Sequence, residues 1–388
     1  MIGFDLTPEQ KALQEKARRF SKEVILPVAA KHDRDGTFPV DVMQKAHQEG
    51  FLSPLIPKKY GGGGLGILDT CILSEELAAG CMGIYVSIFV STLALYPIIK
   101  FGTEDQKERF LKPFCSKYTL ASYCLSEVTV GSDPASMKTT AVLDGDHYVL
   151  NGTKMWITNG GYADFYLVFA TTDPQKKHKG IISLIVPSHL EGLSHGEPID
   201  KMGQRASNTT AVTFKNVRVP KENLLAGEEE GFKKAMVALD ITRPMVGIGA
   251  VGIARTAMEL ATQYAKKRIQ FGVPIAQHQS IQFMLADMAK DIEAARLLIW
   301  KAAWLADQKI RNSKEAAMAK AFAADVGMRV TTDAVQIYGG MGYTKWHPVE
   351  KLMRDAKVIQ IYEGTAQIQR LIIARHLLQE MEQINEIK

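Results

Sequence analysis

The sequence predicts an α+β chain ordered as helices, a β unit and helices again. Three observations carry this reading. The first third shows helix caps and apolar side chains at helical spacing. Between about 120 and 225, short apolar runs alternate with glycine-containing turns. From Gly231 onward, long apolar-striped segments suggest a bundle. The boundaries drawn from these shifts are 1–119, 120–227 and 228–388.

Thr7 caps the first helix, Pro8 suits its first position, and Gln10 completes a capping box. Leu13, Ala17, Phe20 and Val24 share one face, and Pro27 is expected to weaken or end the helix. A second helix runs from about Val40 to Glu49. The four consecutive glycines Gly61 to Gly64 mark a turn-rich connection that lacks the Lys-Ser/Thr of a phosphate loop. Helices resume from about Asp69 to Tyr96, broken near Gly80, and another follows the cap-like Thr103.

Met82 to Ile99 carries no charge and approaches membrane-spanning length. Ser87, Ser91, Thr92 and Pro97 lower its hydrophobicity, and Pro97 is expected to break the helix near its end. A buried helix lining an apolar pocket is expected, with no transmembrane segment. In the β unit, Tyr148–Leu150 leads into Asn151-Gly152, which reads as a hairpin turn. Met155–Thr158, Phe165–Ala170, Ile181–Val186 and Ala211–Phe214 read as further strands. The last third reads as helices over 231–267, 278–306, 313–338 and 349–358, with one more after Gly364.

Composition excludes several classes. Apolar residues make up 46% and charged residues 23%, as in a folded globular chain. A net charge of +5 over 388 residues permits phosphate binding, but no nucleic-acid module accompanies it. Cys71, Cys81, Cys115 and Cys124 form no CxxC pair, so neither a disulfide framework nor a zinc cluster is expected. His178, His189 and His195 form no ligand set, and no metal is expected. The opening MIGFDLTPEQ has no apolar signal run. The compartment expected is the cytoplasm of a bacterium, or the mitochondrial matrix for a processed eukaryotic protein.

No GxGxxG follows a strand, so a bound dinucleotide would need another cradle. Compact segments hold polar and aromatic groups: YCLSEVTVGSD, MWITNGG, RIQFG, QIYGGMG and QIYEGTAQIQR. Trp156 beside Thr158 offers a ring and a hydroxyl, or is an ordinary buried Trp. Arg268 before Phe271 offers a phosphate fork, or is a surface arginine at a helix end. Gly339, Gly340 and Gly342 allow close backbone approach, or form a plain turn. Glu363, between an apolar run and Gly364, reads as a base of raised pKa or as a helix cap. No GxSxG points to a serine hydrolase. These residues alone reach no further than an enzyme with an apolar pocket.

Taken together, MWITNGG, ITRPMVGIGAVGIA, RIQFGVPIAQHQSIQFMLADMA and the run from TTDAVQIYGGMGY to QIYEGTAQIQRLIIARHLL resemble the acyl-CoA dehydrogenase family, closest to its short- and medium-chain members. The resemblance implies an N-terminal helical domain, a central β domain and a C-terminal four-helix bundle. It implies FAD bound without a Rossmann unit, an acyl-CoA substrate, electron-transfer flavoprotein as partner, and a homotetramer arranged as a dimer of dimers. Glu363 matches the catalytic base. Tyr123, Ser126, Trp156 and Thr158 match the flavin wall, and Thr365 a residue near the FAD pyrophosphate. Arg268, Phe271, Gln279, Gln336 and Gly340 match groups that hold FAD from the neighbouring subunit. On the substrate side stand Ser132 near the pantetheine and pyrophosphate, Asp240 and Arg243 near the CoA entrance, Phe89 at the acyl tail, and Gly364.

The mechanism implied is α-proton removal by Glu363 and hydride transfer to flavin N5, giving a trans-2-enoyl-CoA. The Glu363 amide and a ribityl hydroxyl would hold the thioester oxygen. One departure stands out: Val128-Thr129-Val130 replaces the family's usual proline- and glycine-containing loop. Some relatives carry the base at the position of Thr242, which cannot serve here. Phe89 replaces a medium-chain glutamate, which favours an uncharged acyl chain of about C4 to C8. The competing readings are an acyl-CoA oxidase, a nonenzymatic flavoprotein or CoA-binding module, and a decarboxylating, glutaryl-CoA type dehydrogenase. The last would need a basic group that Met82–Ile99 lacks.

Overall fold

The computed structural model describes residues 5–386. Helix α1 (Pro8–Phe20) opens on the expected capping box: the Gln10 amide donates to the Thr7 hydroxyl, and the Thr7 amide to the Gln10 side chain. Pro27 does not end the helical run. A π turn at Ser21–Ile25 shifts the hydrogen-bond register just ahead of it, and Pro27 falls in the first turn of α2 (Leu26–Asp35). Helices α3 (Val40–Gln48), α4 (Ile67–Gly80) and α5 (Met82–Phe101) follow. The break between α4 and α5 lies at Cys81, in extended conformation. Pro97 does not break α5, which continues to Phe101; the proline forfeits one bond to the preceding turn, and the surrounding core holds the helix. Thr103 caps α6 (Glu104–Ser116) with a second capping box.

The β unit contains β1 (Ala121–Cys124), β2 (Thr140–Asp144), β3 (His147–Thr158), β4 (Phe165–Thr171), β5 (Ile181–Pro187), β6 (Leu193–His195), β7 (Thr209–Pro220) and β8 (Leu224–Ala226). Their order is β6-β7-β3-β2-β4-β5-β8, with β1 added parallel to β4. The hairpin expected at Asn151-Gly152 is absent. The turn is at Gly145, and β3 runs through Asn151-Gly152 as a bulge against β7. The Asn151 side chain explains this. Its oxygen accepts from the Asn216 amide at 2.8 Å, and its nitrogen donates to the Asn216 side chain at 3.0 Å, pinning the bulge across the ladder.

Helix α7 (Gly231–Lys267) leads through a small hairpin, β9 (Ile269–Gln270) and β10 (Val273–Pro274), to α8 (Gln279–Asp307) and α9 (Ser313–Tyr338). Short α10 (Val349–Lys357) and long α11 (Ala366–Glu386) complete the chain. Helices α7, α8, α9 and α11 make the C-terminal bundle, and α10 packs on α9. One apolar core runs without interruption from the N-terminal helices into this bundle, and a second fills the interior of the sheet. Close helix contact uses glycine: a Cβ on Gly252 of α7 would lie 2.5 Å from the Glu75 carbonyl of α4. Among the described residues, α5 and α7 are long and apolar enough to cross a membrane, but 89% and 78% of their apolar windows lie inside the protein. All four cysteines are free. The described residues hold no group of three or more potential metal ligands of the His, Cys, Asp or Glu type.

Candidate active site

A cavity of about 700 Å³ opens where α5, the β1 and β3 ends of the sheet, α7 and the 358–365 segment meet. Its size suits a small-molecule ligand. Glu363 is on its wall, in the loop between α10 and α11. The backbone there is unusual: Glu363 has φ 50° and Gly364 φ 89°. Such a conformation in a non-glycine residue persists only when its surroundings enforce it. Two buried side chains do so. Lys320 of α9 donates to the Tyr362 carbonyl at 2.8 Å and the Gly364 carbonyl at 2.7 Å. Gln369 of α11 donates to the Glu363 and Gly364 carbonyls at 3.3 and 3.1 Å.

The helix-cap alternative for Glu363 does not hold. Thr365 performs that task, its hydroxyl accepting from the Ile368 amide at 3.1 Å. Released from capping, the Glu363 carboxyl faces α7, where the Thr242 hydroxyl lies 3.4 Å from it. Burial pushes its pKa up to about 7; the charges of Lys320 and Arg243 and the Thr242 contact restrain the rise. A carboxyl half in each form near neutrality is suited to proton abstraction.

The cavity brings together Glu363, Gly364 and Thr365 with Tyr123, Ser126, Trp156 and Thr158, and with Ser132 and Phe89. Trp156 is presented by the sheet itself. The β3–β7 register shifts between Lys154 and Ile157, and Trp156 at φ 66° turns outward, 56% exposed. Tyr123 packs its ring 4.9 Å from Phe169, and its buried hydroxyl has no partner among the described residues. Phe89 is buried on α5, stacked 5.9 Å from Tyr85. Tyr85 is in turn fixed by donating to the Met245 carbonyl at 2.8 Å.

The Val128-Thr129-Val130 departure forms an ordered turn without proline. Glu127 and Val130 exchange both backbone hydrogen bonds, and the Val130 side chain is buried. Below it, Glu127 pairs with the fully buried Lys154 at 2.8 Å and accepts the Lys138 and Thr139 amides. The turn's internal bonds and this anchor do the work expected of a rigid loop sequence.

Other expected residues lie elsewhere. Asp240 and Arg243 do not line the cavity. They pair with each other on α7, and Asp240 also accepts the Ser313 hydroxyl at 2.5 Å. Arg243 is buried, so it acts on Glu363 by charge. Arg268, Phe271, Gln279, Gln336 and Gly340 are exposed and outside the cavity. They gather at one end of the bundle, where Tyr264 of α7 stacks on Tyr338 of α9 at 4.1 Å. Phe271 is 94% exposed at φ 54°, a large ring held outward by a strained hairpin.

The sequence reading missed Lys320, Gln369 and Gln204. Gln204 donates to the Asp355 carbonyl and to the Tyr362 hydroxyl, tying the segment before β7 to α10 and the loop. A signal for Lys320 existed: it is the one charge in AAMAKAFAA, on a helix face otherwise made of buried alanines.

The groups present fit a flavin. An exposed indole, nearby hydroxyls at Ser126 and Thr158 and the unpartnered Tyr123 hydroxyl supply a stacking face and polar contacts beside Glu363. Comparison with known proteins agrees. The acyl-CoA dehydrogenase N-terminal, middle and C-terminal domain families match residues 7–118, 122–217 and 229–378. The "Probable medium-chain specific acyl-CoA dehydrogenase 2, mitochondrial" of Caenorhabditis briggsae is 42% identical over 97% of this chain and 92% of its own. The short-chain specific acyl-CoA dehydrogenase of Rattus norvegicus mitochondria is 42% identical over 96% of this chain and 91% of its own. The structure of butyryl-CoA dehydrogenase from Megasphaera elsdenii superposes with a TM-score of 0.95 at 41% identity, covering 97% of this chain and all of that one. An FAD complex of PigA shares the fold with a TM-score of 0.93 at 27% identity, over 97% and 99% of the two chains. Matched over 97% of its length in sequence and fold, the chain belongs to the acyl-CoA dehydrogenase family, close to the short- and medium-chain members.

Proposed function

We propose that the chain catalyses FAD-dependent α,β-dehydrogenation of a saturated, uncharged acyl-CoA of about C4 to C8, with Glu363 as the base. The observation carrying this reading is a half-buried Glu363, its carboxyl pKa pushed up to about 7, on the wall of a cavity that Trp156, Thr158 and Ser126 also line. Bound FAD would supply the acceptor for the β-hydrogen and its electron pair. The protein's own tasks are binding, orientation and proton removal. Trp156, Thr158, Ser126, Tyr123 and Thr365 would hold the flavin; Arg268, Phe271, Gln279, Gln336 and Gly340 would hold it from a neighbouring subunit. Glu363 takes the α-proton onto its carboxylate. Its backbone N–H is the donor on this chain for the thioester oxygen, where negative charge develops.

The acyl tail lies against α5. Val86, Phe89, Val90 and Leu93 give it an apolar wall without a charge, and the cations that line the cavity, Lys201, Arg354 and Lys357, belong to other elements, so a distal carboxylate against α5 would lose hydration with no partner on that helix. Ser132 and Gly364 meet the CoA end, and electrons leave to electron-transfer flavoprotein. The test is an anaerobic titration with a panel of acyl-CoA thioesters, followed by turnover with electron-transfer flavoprotein. Wild type should lose its oxidised flavin absorbance with short and medium chains. Glu363→Gln should bind FAD and lose at least about a thousandfold in rate, since an amide cannot accept the proton. Near-normal flavin reduction by Glu363→Gln, or rapid peroxide formation by wild type in air without an acceptor, would reject this reading.

A further inference from the structure

Lys320 is an unusual residue for its place. Its side chain is fully buried in the middle of α9, among Ala316, Ala317, Ala319, Ala323 and Ala324. An ammonium in such a site costs stability unless its donors are used. Its two recorded partners are the carbonyls on either side of Glu363. Gln369, also fully buried, holds the Glu363 carbonyl and shares that of Gly364. Three successive carbonyls are thus drawn toward two side chains at the base of the loop. In a trans peptide the N–H points opposite to the C=O. Holding the Tyr362 carbonyl toward α9 therefore turns the Glu363 N–H away from α9. The same bonds enforce φ 50° at Glu363, the conformation that leaves its carboxyl beside Thr242. Gly364 fits the arrangement: a Cβ there would lie 2.3 Å from the Gln369 side-chain nitrogen.

We propose that Lys320 is a positioning residue for proton abstraction, whose ammonium bridges the Tyr362 and Gly364 carbonyls and so fixes the Glu363 carboxylate and the Glu363 amide in one reactive pose, with Gln369 completing the clamp. This rests on Glu363 being the base. The ammonium acts twice: through its hydrogen bonds it sets direction, and through its charge it favours the ionised carboxylate. Arg243 and Thr242 from α7 also face that carboxyl, as do the neutral hydroxyls of Tyr85, Tyr123 and Tyr362, so removing Lys320 leaves a weaker but real electrostatic restraint.

The experiment uses FAD-loaded Lys320→Met, Lys320→Arg and Gln369→Leu. Three quantities are measured: the anaerobic rate of flavin reduction by butyryl-CoA and octanoyl-CoA, its dependence on pH and substrate concentration, and amide hydrogen exchange in the 358–366 segment. In Lys320→Met the limiting rate at pH 7 should fall at least about thirtyfold while the half-saturating substrate concentration stays within about threefold. The midpoint of the pH–rate profile should move upward, and the segment should exchange faster. Lys320→Arg, keeping charge and donors, should restore the midpoint. If Lys320→Met does not retain FAD, Gln369→Leu decides. It should lose rate with substrate saturation unchanged, exchange faster and keep the wild-type midpoint, since no charge is removed.

A purely structural lysine would lower thermal stability and leave both the pH midpoint and the limiting rate in place. That result in Lys320→Met, or an unchanged rate in Gln369→Leu where Lys320→Met lacks FAD, overturns the proposal. If neither acyl-CoA reduces the flavin of wild type, the dehydrogenase reading fails, and exchange alone decides whether the clamp exists.

Discussion

The Thr242 hydroxyl lies 3.4 Å from the Glu363 carboxylate, although the two residues are 121 positions apart in the chain. Thr242 is fully buried on α7 and faces the loop that carries Glu363. A carboxylate grown from position 242 would enter the same space from the opposite wall. The base should therefore be movable. Glu363→Gly removes the carboxylate and suits the positive φ of the site, so it should bind FAD and be nearly inactive. Adding Thr242→Glu to that variant should restore activity by roughly ten- to a hundredfold, short of wild type because the new approach angle is imperfect. Steady-state rates with butyryl-CoA check this. A double variant no faster than Glu363→Gly, with flavin fully loaded, would show that position 242 does not reach the substrate.

The pKa of Glu363 sets a pH dependence with a definite sign. If Glu363 is the base, as proposed, it must be ionised to act, so kcat/KM in the free enzyme should rise with pH and level off above about 7. Stability should move the other way. The folded state holds this proton more tightly than the unfolded chain does, because the group's pKa rises from 4.5 to about 7 on folding. Its favourable contribution is complete below pH 4.5 and is lost as pH rises through about 7. Glu363→Gln, which does not titrate, should therefore gain thermal stability relative to wild type as pH rises from 4 to 8. At about 1.4 kcal/mol per tenfold change in proton affinity, the ceiling on that gain is about 3.5 kcal/mol. Melting curves at both pH values test it; a gap that stays constant would show that burial of this carboxyl is not the cause.

What was legible in the sequence divides along physical lines. Local signals were read well where one short segment decides the outcome, as in the Thr7 capping box, the helix start at Thr103 and the break near Gly80. They failed where a distant partner decides. Asn151-Gly152 has the composition of a turn, but Asn216, 65 residues away, holds it as a bulge. Pro27 and Pro97 each ought to stop a helix, yet a π turn accommodates one and the surrounding core the other. Glu363 itself was marked by a family motif, not by its local chemistry, which favoured capping. Lys320 stood out as a lone charge among alanines, but its partners were not legible, because it meets only backbone carbonyls, 42 and 44 residues further along. No side-chain pattern encodes such a contact.

The exposed cluster at the far end of the bundle predicts assembly coupled to cofactor. Phe271 is almost wholly exposed, touching only the edge of His278 among the described rings, and Arg268, Gln279, Gln336 and Gly340 at the same end of the bundle are exposed too. If these groups hold a neighbour's FAD, cofactor and oligomer are linked thermodynamically. Arg268→Ala with Phe271→Ala should weaken FAD retention by at least about tenfold and shift the sedimentation profile toward smaller species, with excess FAD reversing the shift. The Glu363 loop, remote from this cluster, should keep its hydrogen-exchange pattern. A fully FAD-saturated, active monomer of the wild type would end the argument.

Phe89 supplies the last prediction, on chain length. It is 4% exposed on α5, on the cavity wall, with its ring stacked on Tyr85. Tyr85 cannot retreat easily, because its hydroxyl is bound to the Met245 carbonyl and a Cβ on nearby Gly249 would lie only 3.0 Å from its ring. The stack is therefore a firm end wall, and each extra methylene beyond it must displace a packed ring. Phe89→Ala should open that wall. Longer tails then gain apolar contact worth about 0.8 kcal/mol per methylene buried, close to fourfold in binding each. The optimum should move from about C4–C8 toward longer chains, with kcat/KM for lauroyl-CoA rising at least about tenfold and that for butyryl-CoA falling as the short tail loses its neighbour. Phe89→Glu should instead leave medium tails as substrates and lower kcat/KM for butyryl-CoA, whose short tail loses the apolar ring to a carboxylate. The acyl-CoA panel that tests the function measures all three proteins. A Phe89→Ala profile that coincides with wild type would show that the tail ends before reaching this ring, and would move the length determinant to Val246 or Ile361 on the other walls of the cavity.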